Sequence, residues 1–154
     1  MSKQTVTTRA TLLAAFALIG VLVAGCSSDD TFLPALLADP MASYEADDVR
    51  LVRSQERPRG TDLVTRKPIT AQVWRRYELK QHAESDQVFA DAMAAAEAAG
   101  WELRDSGPSE SAFGGWGTTA SKGFDWGPAR LTIGVGPTPG ESESDILLRI
   151  TLDE

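Results

Sequence analysis

The sequence predicts an α+β domain: an antiparallel sheet of about four to five strands with one main helix packed on one face. Three observations predict it. Apolar residues recur with period two from Ile69 to Leu79, at Leu131, Ile133 and Val135, and at Ile146, Leu148, Ile150 and Leu152. Between the first and the later runs lies a segment of helical period. There Val88, Phe89, Ala92, Ala95, Ala96 and Ala99 share one face, while Asp91, Ala94 and Glu97 look away. The order strand, helix, then three or four consecutive strands suits an antiparallel sheet, because successive strands need only short turns to pair.

The elements follow in chain order. Residues 1–9, MSKQTVTTR, carry Lys3 and Arg9 and no acid, and an apolar run of 16 residues follows from Ala10 to Gly25. A positive end and a short apolar core are the start of a secretory signal peptide. A helix of that length spans only about 24 Å, short of the ~30 Å hydrocarbon core, so a permanent membrane span is the weaker reading.

The run ends in Val23-Ala24-Gly25-Cys26. This resembles the lipobox of bacterial lipoproteins: a branched apolar residue, two small residues, then cysteine. The resemblance implies that residues 1–25 are removed and that Cys26 receives a diacylglyceryl group, with further acylation of the new N-terminus. It implies a protein held by lipid on the extracytoplasmic side of the cell membrane. Small Ala24 and Gly25 expose the backbone to a peptidase, and only a cysteine offers a thiolate for the lipid. Two or three acyl chains suffice for stable anchoring, whereas one binds reversibly.

Residues 26–48 are expected as lipidated cysteine and tether, and 49–154 as the single α+β domain. Within the tether, Ser27 to Asp30 is small and polar. Phe32, Leu33, Leu36, Leu37, Pro40 and Tyr44 are too many apolar residues for a bare linker, so part of this stretch should pack on the domain or the bilayer. A short turn of helix fits around Ala35 to Ala38. Arg57-Pro58-Arg59-Gly60 breaks any regular element. In the strand from Ile69 to Leu79, Trp74 and Arg75 sit against the alternation, which reads as an exposed aromatic or a bulge. Ser85 is placed to cap the helix, with Asp86 in its first turn and Gly100 at its end. Trp101 and Leu103 start a short strand, Asp105 to Glu110 is a loop, and Ser111 to Phe124 holds another strand. Gly136 to Ser144 joins the last two.

Composition bounds the chemistry. Of 154 residues, 15 are Lys or Arg and 22 Asp or Glu. Without residues 1–25, which hold Lys3 and Arg9, 13 basic and 22 acidic residues remain among 129, a net charge of −9. Such an acidic exported chain is a poor nucleic-acid binder. Cys26 is the only cysteine and His82 the only histidine. An internal disulfide and a Cys/His zinc site are excluded, and no cofactor is expected. There is no phosphate-binding glycine loop, no G-x-S-x-G and no H-E-x-x-H. His82 reads as an exposed loop residue in a polar turn. Glu141, Glu143 and Asp145 lack the spacing of a calcium loop and read as a solvated hairpin tip.

Two groups and the lone Trp74 remain as site candidates. Phe113, Trp116, Phe124 and Trp126 interleave with Gly114, Gly115, Gly117, Gly123 and Gly127. Such aromatics either stack on a sugar or peptide ligand or belong to the core beside close-packed backbone. From Arg50 to Lys80, nine cations face only Glu56, Asp62 and Glu78. Arg57, Arg59, Arg66 and Lys67 within it are candidates for contact with an anionic surface, or form a solvated face paired with neighbouring acids.

The mature part is similar, in a general way, to small lipoproteins of high-GC Gram-positive bacteria. The likeness lies in the lipobox with its polar tether and in AEAAGWEL…ARLTIGV…DILLRITL. It contains no motif with a known role and implies no activity. The expected function is that of a membrane-anchored, non-enzymatic binding or scaffolding module, partnered by the membrane through Cys26 and by an envelope protein or wall polymer. The alternative is a hydrolase of envelope material, which needs two carboxyls about 5–10 Å apart in a cleft.

Overall fold

The computed structural model describes residues 31–104, 109–110, 115–137 and 146–154. Residues 1–25, Cys26, Phe113, Gly114, Glu141, Glu143 and Asp145 lie outside them. No helix among the described residues is long and apolar enough to cross a membrane.

The chain opens with helix α1 (Phe32–Leu37) and a 3-10 turn (Pro40–Ser43), then strand β1 (Val49–Arg57). A small two-stranded hairpin follows, β2 (Gly60–Thr61) with β3 (Pro68–Ile69), and then β4 (Gln72–Leu79) and helix α2 (Ser85–Ala98). Strands β5 (Glu102–Leu103), β6 (Ser109–Glu110), β7 (Trp116–Phe124), β8 (Gly127–Pro137) and β9 (Ile146–Asp153) complete it. The main sheet is antiparallel in the order β1-β4-β9-β8-β7-β5, with β6 also paired to β7. It has seven strands where four to five were expected. The surplus lies in elements with little apolar signal: β1 is exposed after Val49, and β6 is two residues long at the end of a stretch that reads as a loop.

Register makes the core. One row across four strands is Val73, Leu152, Leu131 and Ala120; the next is Arg75, Ile150, Ile133 and Thr118. These residues are all buried. A slip of one residue would send every row to the opposite face, so burial itself selects the pairing. Each fully buried Leu or Ile contributes about 1.5–3 kcal/mol over an exposed one. In β4 the alternation is in fact unbroken. Ala71, Val73, Arg75 and Tyr77 face inwards, and Trp74 lies with Gln72 and Arg76 on the open face. Arg75 can occupy an apolar position because each of its three side-chain nitrogens donates: Nε to Ala42 O at 2.9 Å, Nη1 to Trp74 O at 3.2 Å and Nη2 to Glu56 Oε1 at 3.0 Å.

Helix α2 lies on β8 and β9 and buries Val88, Phe89, Ala92 and Ala96. Its N-cap is Glu84, with no side-chain cap, so Ser85 is the first helical residue rather than the expected cap. Gly100 ends the helix at φ 85°, a left-handed turn that glycine adopts without strain.

Residues 31–48 are part of the folded body. Leu36, Met41, Ala42 and Tyr44 are core residues, and α1 and the 3-10 turn cover β4 and β9 beside α2. Asp39 fastens this segment. Its carboxylate is buried and accepts from Met41 N at 2.9 Å, Trp101 Nε1 at 3.1 Å and Lys122 Nζ at 2.7 Å. Lys122 also donates to Ala99 O at 2.6 Å, at the end of α2. One acid thereby joins the N-terminal segment, α2 and β7. A domain boundary at residue 49 would cut through this packing.

Candidate functional site

Strand β1 ends at Arg57, and Pro58 has no N–H to continue a ladder. The chain then forms the β2–β3 hairpin, paired Gly60 with Ile69 and Thr61 with Pro68. Asp62 holds its tip. The Oδ1 atom accepts from Val64 N at 3.0 Å, Thr65 N at 2.6 Å and Thr65 Oγ1 at 2.8 Å. Across the neck, Asp62 N donates to Lys67 O and Arg66 N to Asp62 O, both at 2.9 Å. The hydrogen bonds from the Thr65 N–H, the Thr65 hydroxyl and the Val64 N–H favour the ionised carboxyl and hold it below the usual carboxylate range. Arg66 closes the turn at φ 59°, in the left-handed region. Leu63 and Val64 occupy the apex and are 88% and 91% exposed.

The four expected surface cations separate into two pairs. Arg57 donates to Gln72 Oε1 at 3.0 Å. Arg59 pairs with Glu154 Oε1 at 3.1 Å and lies 4.4 Å from the centre of the Phe32 ring. These two hold the hairpin base to the sheet and to the start of α1. The side chains of Arg66 and Lys67 have no acidic partner among the described residues. Elsewhere in the basic stretch Arg50 pairs with Glu78, Arg75 with Glu56, and Arg53 lies 5.7 Å over the Trp74 ring.

Of the aromatic candidates, Phe124 and Trp126 are brought together and Trp116 lies apart from them. Trp116 is 42% exposed at the start of β7, and Phe124 is at its end, eight residues on. Phe124 stacks on Trp126 at 5.0 Å, and Phe32 meets Trp126 edge-on at 5.0 Å. This trio seats α1 on the β7–β8 turn, at the same end of the sheet as the hairpin. Gly115, at φ 82°, permits the approach of β7 to β8, since a Cβ there would lie 2.0 Å from Val135 O. Phe113 lies outside the described residues.

Two features carry no signal in the sequence alone. A groove of about 620 Å³ runs beside β1, lined by Tyr44, Glu45, Asp47, Ser54, Arg75 and Tyr77. Burial pushes the Tyr77 phenol up to about 12 and raises Tyr44 as well. Glu45 and Asp47 are exposed, and neither is the buried acid that a hydrolase requires. On the open face, register aligns Arg53, Arg76 and Arg149 across β1, β4 and β9. Burial, and then Arg76, lower the pKa of Arg149. Only strand pairing places these three in a row. His82 is exposed, with Nε2 3.3 Å from Asp48 Oδ1, and no cluster of three metal-ligating side chains occurs among the described residues.

Compared with known proteins, the chain matches no family model, no curated protein and no solved structure. The functional reading therefore rests on the chain's own residues.

Proposed function

We propose that the protein is a lipoprotein anchored through Cys26 on the extracytoplasmic side of the cell membrane, where its folded body is a non-enzymatic binding or scaffolding module. Its hairpin end is turned to the membrane, and the groove beside β1 is open to an envelope protein or wall polymer. One observation supports this orientation above others: Phe32, six residues after Cys26, lies against Arg59 at the hairpin base. Anchor and cations then share one end of the domain. Outside residues 57–69 the remainder of the chain is acidic, and anionic headgroups repel it.

Metabolic labelling with a fatty-acid analogue tests the anchor. Label is expected on the wild-type chain, and none on Cys26→Ser, which should accumulate uncut, because a hydroxyl is a far weaker nucleophile than a thiolate. Equal label on both chains would refute the anchor.

A further inference from the structure

We infer that the apex of the 62–67 turn, Leu63 with Val64, inserts into the anionic bilayer that holds the Cys26 lipid, with Arg66 and Lys67 against its headgroups; this rests on the anchored reading above. The turn is built to present that apex. Asp62 binds three donors within the loop, so its carboxylate is occupied inside the turn while two branched apolar side chains are left 88% and 91% exposed. Surface turns are ordinarily made of residues that water solvates well, and an adjacent pair of aliphatic residues at a tip runs against that pattern.

Charge and position name the occupant. Residues 57–69 hold Arg57, Arg59, Arg66 and Lys67 against Asp62 alone, a local net of +3 on a mature chain of −9. Neither of the two cations nearest the apex has an acidic partner among the described residues, and Arg57, which also lacks one, is held back at the base by Gln72. Cys26 lies five residues before Thr31, a span of at most about 18 Å, and Phe32 packs under Arg59 at the hairpin base. The apex therefore stays beside the leaflet that receives the lipid. Its shape points the same way. A protein partner of lasting affinity needs about 800 Å² per side, far more than two side chains on a convex tip present. A deformable anionic interface needs only an apolar wedge ringed by cations.

The test uses the lipidated chain purified from membranes and returned to vesicles. Cys26 is the only cysteine and its sulfur is then a thioether, so Val64→Cys introduces the single reactive thiol. An environment-sensitive fluorophore is placed there, or on Ala94→Cys at the outer face of α2 as a control. In vesicles containing phosphatidylglycerol, the label at 64 should be quenched by a nitroxide carried on the acyl chains and shielded from iodide, and the label at 94 should behave oppositely. Arg66→Gln with Lys67→Gln, or vesicles of phosphatidylcholine alone, should lower the inserted fraction relative to the free by about tenfold. A label at 64 as open to iodide as that at 94 overturns the proposal, and so does quenching indifferent to both lipid charge and the two substitutions. All substituted positions are exposed, and a thermal transition unchanged from wild type confirms the fold. The mass of the N-terminal peptide reads the anchor independently. A peptide without acyl chains removes the anchored reading, while the label at 64 still reports whether bound protein inserts.

Discussion

Asp39 and Asp62 make the same local bond in opposite surroundings. Each carboxylate accepts the N–H of the residue two positions on, Met41 in one case and Val64 in the other. Asp39 is sealed in the core, where its remaining valences are met from far along the chain by Trp101 and Lys122. Asp62 sits at the surface, and all its side-chain partners lie within three residues. The first joins three elements and determines where the N-terminal segment can lie. The second organises six residues and nothing beyond them. A buried acid is coupled to the whole fold because each partner lost strands a charge or a donor; an exposed one can fail locally.

The largest effect should come from Asp39→Ala, which leaves the Lys122 ammonium without its counter-ion and the Trp101 N–H without its acceptor. Denaturant unfolding is expected to show a loss of about 3 kcal/mol, towards the low end for a broken buried pair because Lys122 retains some access to water. Trp101→Phe removes one donor and keeps most of the ring, so about 1.5 kcal/mol should go. A loss near zero for both would show that the N-terminal segment does not depend on this acid.

Asp62→Ala should leave the melting temperature almost unmoved. Its effect should appear in hydrogen exchange, as faster exchange at Val64 and Thr65 alone. The pH dependence sharpens the contrast. Because the folded pKa of Asp62 is lowered, its stabilisation of the turn is fully present above the ordinary carboxylate pKa near 3.9 and is lost as pH falls through the lower folded value. Amide shifts of Val64 and Thr65 should therefore hold from neutral pH down to about 4 and move only in more acid solution. Movement centred above that range would contradict the three-bond geometry. The smallest effect is expected for Arg66→Gly, which relieves a left-handed non-glycine residue and should change unfolding by no more than about 1 kcal/mol in either direction.

Legibility in the sequence followed the same division between local and distant causes. Strands β4, β8 and β9 and helix α2 are readable because each buries one face and thereby writes a period into its residues. Strand β1 is not, since an edge strand with both faces in water needs no apolar alternation, and charges there guard its unpaired edge. The apolar residues of 31–48 hinted at packing, but a lone Asp39 gives no sign of binding a tryptophan 62 positions away. Trp74 and Arg75 read as a break because Arg75 looks polar; Glu56 and two backbone carbonyls make it fit a buried position. At the candidate site, the cluster of cations was visible. Its division into two that hold the hairpin base and two that face outwards was not, because that depends on Gln72, Glu154 and Phe32 arriving through tertiary structure. Leu63 and Val64 form no periodic pattern, so only their exposure separates them from core residues.

Arg59 touches both Phe32 and Glu154, the second and the last of the described residues, and Glu154 is further held by Ala71 N through Oε2. The two ends of the folded body are thus neighbours, gathered at one guanidinium. A short peptide linking them could close the backbone into a ring, and a cut in the 62–67 turn would reopen it with the sheet order intact. Such a circular permutant would carry its free ends at the apex and would detach Leu63 and Val64 from the hairpin neck that supports them.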